Sequence, residues 1–312
     1  MSDHELSGAE LARLFSAEVV EPLLARALPR LRYATGRLGS GSDVLGLDDA
    51  LSRDHDWGCR LTLLVDEPDR QALPQISDLL ERELPERYRR LPVRFPATWD
   101  VSVSHKVDLA TVGDFATGRL GVDPTEGLSV LDWLVLTGQS VLEVTAGPVF
   151  TDRTATLAPL RETLRWYPPD VERYALAAGW NRLAQQMPML GRTAERGDEF
   201  GSRLLSAQLA QDLVWLAFTL ARQWQPYAKW RGVLLRTLPV ADKIIGLLET
   251  ASAAPDWRER ETALADAAEV LLDRQCARGL PAPATAVTRF WNRPYRTIDQ
   301  TVPEALLNGI TD

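Results

Sequence analysis

The run Trp166-Tyr167-Pro168-Pro169-Asp170 divides the chain into two halves that follow different rules. Two consecutive prolines block the continuation of any preceding helix, and Pro168, Pro169 and Asp170 suit the start of a new one. Beyond this break the sequence reads almost entirely helical. Apolar stripes of 3.6-residue period cover 171–186, 202–225, 243–252 and 257–278. Before it, periods of two and of 3.6 alternate. A helix is predicted over 7–27, with Leu11, Leu14, Phe15, Val19, Leu23 and Leu24 on one face and Ser7 and Glu10 spaced as a capping box.

Strands are predicted over 31–38, 54–65 and 99–112, with strand-like residues in 140–151. Helices are predicted over 68–88 (broken near Leu84-Pro85), 113–120 (closed by Gly121) and 128–136. The expected fold is therefore α+β: a mixed sheet with helices over 1–166, followed by an all-α helical bundle over 167–312. A length of 312 residues agrees with two domains.

Composition narrows the functional classes. The chain is 45% hydrophobic and 25% charged, with no apolar run long enough for a membrane span and no basic-apolar leader after Met1, so a cytoplasmic protein without membrane partners is expected. Cys59 and Cys276 stand far apart and beside no metal-ligand partners, and two reduced thiols are expected. A formal charge of −8 argues against a broad grip on nucleic acid and favours a small-molecule or protein acceptor. Three histidines, His4, His55 and His105, give no basis for a His-based zinc site. The phosphate-loop, HExxH, serine-elbow and kinase catalytic-loop patterns are absent.

Chemistry concentrates in Gly39-Ser40-Gly41-Ser42-Asp43-Val44-Leu45-Gly46 and Ser52-Arg53-Asp54-His55-Asp56-Trp57-Gly58. A Gly-Ser turn lets backbone N–H groups approach a phosphate closely. Asp54 and Asp56, two apart, would share one face if they lie on a strand, about 7 Å apart along the chain. Convergent carboxylates with a phosphate turn suit Mg²⁺, which takes oxygen ligands from protein and substrate alike.

Gly41-Ser42, eleven residues, then Asp54-X-Asp56 resembles the signature of the nucleotidyltransferase superfamily, the fold of polymerase beta and the antibiotic nucleotidyltransferases. From about residue 10 to 310 the chain also resembles an uncharacterised bacterial family of nucleotidyltransferase-like proteins with a helical C-terminal domain. That resemblance rests on the two motifs above with Asp132-Trp133-Leu134, Pro226-Tyr227 and Lys229-Trp230. It implies transfer of a nucleoside monophosphate from an NTP, ATP first among candidates, to a hydroxyl of a small-molecule acceptor, with Mg²⁺ as cofactor and pyrophosphate as product. It also implies that Asp54 and Asp56 are metal ligands, and that Gly41 and Ser42 hold the β- and γ-phosphates.

A third carboxylate, ligand and general base, is expected at Asp108 within Lys106-Val107-Asp108-Leu109, with Asp100 as the alternative. His55 is expected to point away from the metal face. Arg53 reads equally as a phosphate clamp or a solvated charge. In the helical half, Arg192 and Lys229 are candidate nucleotide-binding residues; for Lys229 the alternative is an interhelical turn with a snorkelling side chain. Asp198 also stands out there, whereas Trp224 and Trp230 read as core. A homodimer is left open by antibiotic-modifying relatives that share one site between subunits. The competing functions are modification of a protein or tRNA end, and nucleotide binding without turnover.

Overall fold

The computed structural model describes residues 6–52, 56–98 and 100–311, with Asp100 described by its backbone alone. The fold is α+β, and the chain divides into two compact units, Met1–Arg165 and Trp166–Asp312.

In the first unit, α1 (Gly8–Phe15) starts where the Ser7 hydroxyl accepts the Glu10 amide. A π-helical stretch, Ser16–Val20, joins it to α2 (Glu21–Ala27), whose Pro22 has no amide to donate. Strand β1 (Tyr33–Gly36) pairs antiparallel with β2 (Arg60–Val65). A 3-10 stretch (Glu67–Ala72) and α3 (Leu73–Glu83) then lead through a small hairpin of β3 (Arg87–Tyr88) and β4 (Leu91–Pro92). Next come β5 (Arg94–Ala97) and β6 (Asp100–Thr111), antiparallel to each other, with β6 parallel to β2. Helices α4 (Val112–Leu120), α5 (Val130–Val135) and α6 (Gly138–Thr145) precede β7 (Val149–Asp152), which pairs antiparallel with β1, and α7 (Leu157–Thr163) follows. The mixed five-stranded sheet has the order β5-β6-β2-β1-β7.

Period-two alternation gives each face of this sheet its task. Leu61, Leu63, Val65, Val107 and Tyr33 face a core with Leu11, Phe15, Leu24, Ile76 and Leu80 of the three N-terminal helices. Each such aliphatic side chain, fully buried, contributes about 1.5–3 kcal/mol. Arg60, Thr62, Lys106 and Asp108 belong to the opposite face, because the parallel register sets Arg60 beside Lys106 and Thr62 beside Asp108.

Three predicted elements of this half change. The strand expected from residue 54 begins at Arg60, since Asp56 lies in a turn and Gly58 packs so tightly on Phe95 that a Cβ there would sit 2.8 Å from the ring. The strand-like stretch 140–151 is split between α6 and β7. Its β-branched residues suggested a strand, but Thr137 and Ser140 form a reciprocal capping box and Val141 and Val144 bury one helical face. The helix expected to reach Tyr88 stops at Glu83, and Arg87–Tyr88 is strand.

The second unit comprises α8 (Pro169–Ala194), α9 (Glu199–Leu220), α10 (Ala228–Leu235), α11 (Ala241–Ala253) and α12 (Trp257–Ala277). A hairpin of β8 (Val287–Arg289) and β9 (Arg296–Ile298), unforeseen in the sequence, precedes α13 (Thr301–Leu307). Trp180, Leu183, Leu213, Leu216, Phe218, Leu264 and Leu271 form the centre of its core. Two buried charges are held by partners within it, with Arg260 Nε left without one among the described residues. Arg260 binds Glu199, Ser202 Oγ and the carbonyls of Ala254 and Pro255. Glu172 accepts from Arg222 at 2.7 Å, Arg278 at 2.6 Å and the Trp166 indole at 2.9 Å. Among the described residues, no helix is long and apolar enough to cross a membrane.

Candidate functional site

The turn after β1 is built around a buried ion pair. Arg37, the first residue past the strand, meets Asp43 in a two-pronged contact, Nε to Oδ2 at 2.6 Å and Nη2 to Oδ1 at 2.9 Å. Its remaining donors close on the carbonyls of Leu38, at 2.8 Å, and Ser40, at 2.9 Å. The Gly-Ser turn therefore wraps around a guanidinium that holds both its limbs. Gly41 has φ of 143°, and a Cβ there would stand 2.2 Å from Asp43 Oδ1, so backbone conformation and space both require glycine. Among the described residues, the Ser40 and Gly41 amides donate to no protein acceptor. That leaves them available to an anion, as a phosphate-receiving turn needs. Ser42 follows, its carbonyl accepting the Leu45 and Leu47 amides at 3.2 and 2.9 Å.

The floor of the site is the polar face of β2 and β6. Thr62 Oγ1 lies 3.3 Å from both the amide and the carbonyl of Leu38 and so attaches the turn to the middle of the sheet. Asp108 is the register partner of Thr62 and is exposed, whereas its neighbour Val107 is buried in the core. The predicted third carboxylate thus lies one strand away from the turn, exposed on the face where Thr62 itself is buried. Arg119 of α4 approaches from the side. It pairs with Glu143 at 3.2 Å, and its Nη2 lies 3.1 Å from where a Cβ on Gly39 would be.

Asp56 is placed differently from its expected position on a strand. Its carboxylate accepts the amide of Thr98 at 2.6 Å and also the Thr98 hydroxyl, so it ties the turn before β2 to the β5–β6 turn. Asp54, His55 and Arg53 lie outside the described residues, as does the side chain of Asp100. Arg60, to which no role was given from sequence, opens β2. Among the described residues, its hydrogen bond is a long one, Nη1 to the Asp56 carbonyl at 3.5 Å. Burial lowers its pKa, the positive charge of Arg37 adds to that, and Asp108, Asp43 and Asp56 pull in the opposite direction.

The sequence reading also gave no role to Arg37, Asp43 or Thr62. The available signals were an arginine ending an apolar strand six residues before an aspartate, and an arginine opening the apolar run Leu61-Thr62-Leu63-Leu64-Val65.

Arg192 and Lys229 belong to the second unit. Arg192, on α8, is half-buried and contacts Met189 Sδ at 3.5 Å, while its carbonyl accepts from Arg196. Lys229, on α10, is exposed, with Nζ 4.9 Å from the ring centroid of the buried Trp230. Asp198 is the N-cap of α9, accepting the Gly201 amide at 2.8 Å. Trp224 is buried against Trp166 and Tyr167, with centroids 4.8 and 4.5 Å apart.

Hard carboxylate oxygens such as those of Asp56 and Asp108 are the donor type that Mg²⁺ takes. Among the described residues, no group of three or more His, Cys, Asp or Glu side chains is arranged to hold a metal ion.

The model of a family described as a domain of unknown function (DUF4037) matches residues 133–231. That is less than half of the chain, narrower than the resemblance read from sequence, and it excludes the Gly-Ser turn, Asp56 and Asp108. A search of curated proteins finds no match. Among solved structures, the chain is similar to a nucleotidyltransferase-like protein from Exiguobacterium sibiricum 255-15. The identity is 12% and the TM-score 0.35, over 93% of this chain and 99% of that one.

Proposed function

We propose that the open face of the first unit receives the triphosphate of an NTP, ATP first among candidates, and transfers its nucleoside monophosphate to a hydroxyl acceptor. One observation carries the reading: Thr62 joins the Gly-Ser turn to β2, and its register partner on β6 is the exposed Asp108. A turn whose Ser40 and Gly41 amides have no acceptor among the described residues thereby lies one strand from a carboxylate able to act as a base.

In the transfer, the acceptor oxygen forms a bond to the α-phosphorus. The bond from that phosphorus to the β-phosphate bridging oxygen breaks, and its electron pair departs with pyrophosphate. The acceptor's proton passes to the Asp108 carboxylate. The Ser40 and Gly41 amides and the Ser42 hydroxyl hold the phosphate oxygens. Asp54, Asp56 and Asp108 are the residues that would hold Mg²⁺, which when bound supplies charge neutralisation on the phosphates. The acidic chain favours a small acceptor over a nucleic acid.

A second reading, nucleotide binding without turnover, is favoured by the engagement of the Asp56 carboxylate with Thr98. Pyrophosphate release separates the two. The wild-type chain and its Asp54→Asn, Asp56→Asn and Asp108→Asn variants are incubated with Mg²⁺, each NTP, and a panel of metabolites, tRNA and protein acceptors. Transfer predicts acceptor-dependent release that the variants lose. Tight nucleotide binding with no release from any pair would contradict transfer and leave the binding module.

A further inference from the structure

We infer that Arg60 is the residue that grips the β- and γ-phosphates of the bound nucleotide, from the start of β2 beside the Gly-Ser turn. This rests on the nucleotide reading above and adds to it a positive group that the superfamily-type motifs do not contain.

Three features of the geometry lead there. First, Arg60 is fixed by register: it opens β2 two residues before Thr62, and so shares the open face with Thr62 and Asp108. Second, its guanidinium is sparsely used. Arg37, Arg119 and Arg260 each meet a carboxylate within ion-pair distance, whereas among the described residues Arg60 has only the 3.5 Å contact with the Asp56 carbonyl. A guanidinium carries five donors in a planar fork matched to phosphate oxygens, so a half-buried arginine with one long bond has donors to offer. Third, the register partner of Arg60 is Lys106, so two cationic side chains stand side by side on adjacent strands, with Lys106 Nζ 3.1 Å from Ser104 Oγ.

AMP lacks the β- and γ-phosphates assigned to Arg60, so the discriminating quantity is the ratio of ATP to AMP affinity. Calorimetric titrations with Mg²⁺ and ATP, AMP or pyrophosphate are compared for the wild-type full chain, Arg60→Ala and Arg60→Gln. The glutamine side chain keeps a polar amide and most of the arginine's stem while removing the charge, which guards the fold if the alanine variant unfolds. We expect ATP and pyrophosphate affinities to fall about tenfold or more in both variants, with AMP affinity changing less than about twofold.

A variant that binds ATP and pyrophosphate as the wild type does would overturn the assignment. So would an equal loss for ATP and AMP, which marks Arg60 as a support for the fold alone. A wild-type chain that binds none of the three would instead overturn the nucleotide reading on which the assignment rests.

Discussion

Asp43→Ala tests the idea that the Gly-Ser turn is held open by its internal ion pair. The Arg37 and Asp43 side chains are only 2% and 11% exposed, and their contacts at 2.6 and 2.9 Å leave both carboxylate oxygens engaged. Removing one partner of a buried pair strands the other's charge, which typically costs about 3–5 kcal/mol. Arg37 keeps its bonds to the Leu38 and Ser40 carbonyls, so the lower end applies, about 3 kcal/mol. The assay is native-state hydrogen exchange over peptides spanning 33–47, with peptides from α12 as reference. A loss of about 3 kcal/mol corresponds to exchange faster by roughly 10²-fold across the turn. A cycle with Arg37→Ala should give a coupling of about 2–3 kcal/mol between the two positions. Exchange in Asp43→Ala within about threefold of wild type, equivalent to less than about 1 kcal/mol, would refute the reasoning.

Other consequences follow from single residues. Asp108→Asn should lower any acceptor-dependent pyrophosphate release by roughly 10²–10⁴-fold while leaving thermal unfolding unchanged; a rate equal to wild type removes Asp108 from the base role. In the second unit, burial raises the Glu172 carboxyl, but hydrogen bonds from Arg222, Arg278 and Trp166 outweigh it and leave the group below its ordinary value. Its contribution is therefore complete above the unfolded-state value near 4.5 and is lost as pH falls through the lower folded value. Urea unfolding followed from pH 7 to 3 should show this acid loss and find it reduced in Glu172→Gln; identical pH slopes would contradict it. Burial pushes the Cys59 thiol up to about 12, whereas Cys276 is exposed. A thiol reagent at neutral pH should label one cysteine in the native chain and both after denaturation, and fast native labelling of Cys59 would show that β2 is less closely packed than described.

Much of the architecture was legible because it depends on local periodicity. The four long helices of the second half follow their apolar stripes, and β6 follows the alternation of Val101, Val103, Val107 and Leu109. The elements misjudged were decided by tertiary partners. β-branched residues suggested a strand in α6, but the Thr137–Ser140 cap and the burial of Val141 and Val144 set it as helix. The turn holding Asp56 leaves the sheet because Thr98 supplies it with two donors from the far side of β5.

In the site, the residue types were readable and their support was not. Gly41, Ser42 and Asp108 stand out in the sequence through turn chemistry and an apolar-flanked carboxylate. Arg37, Thr62 and Arg60 gain meaning only from pairings with residues 6, 24 and 48 positions away, Asp43, Leu38 and Asp108. The six-residue spacing of Arg37 and Asp43 is short enough to notice in sequence, whereas no local pattern spans the separations of 24 and 48.

A nucleotide triphosphate seated on the Gly-Ser turn and the polar face of β2 and β6 would leave a footprint in hydrogen exchange, mapped in the full chain with Mg²⁺ and each NTP in turn. One or more NTPs should slow exchange at 39–46, at the start of β2 and around Asp108, and Asp108→Asn should weaken this footprint. Binding of an NTP that leaves all three segments unprotected, with protection confined to other elements, would contradict it.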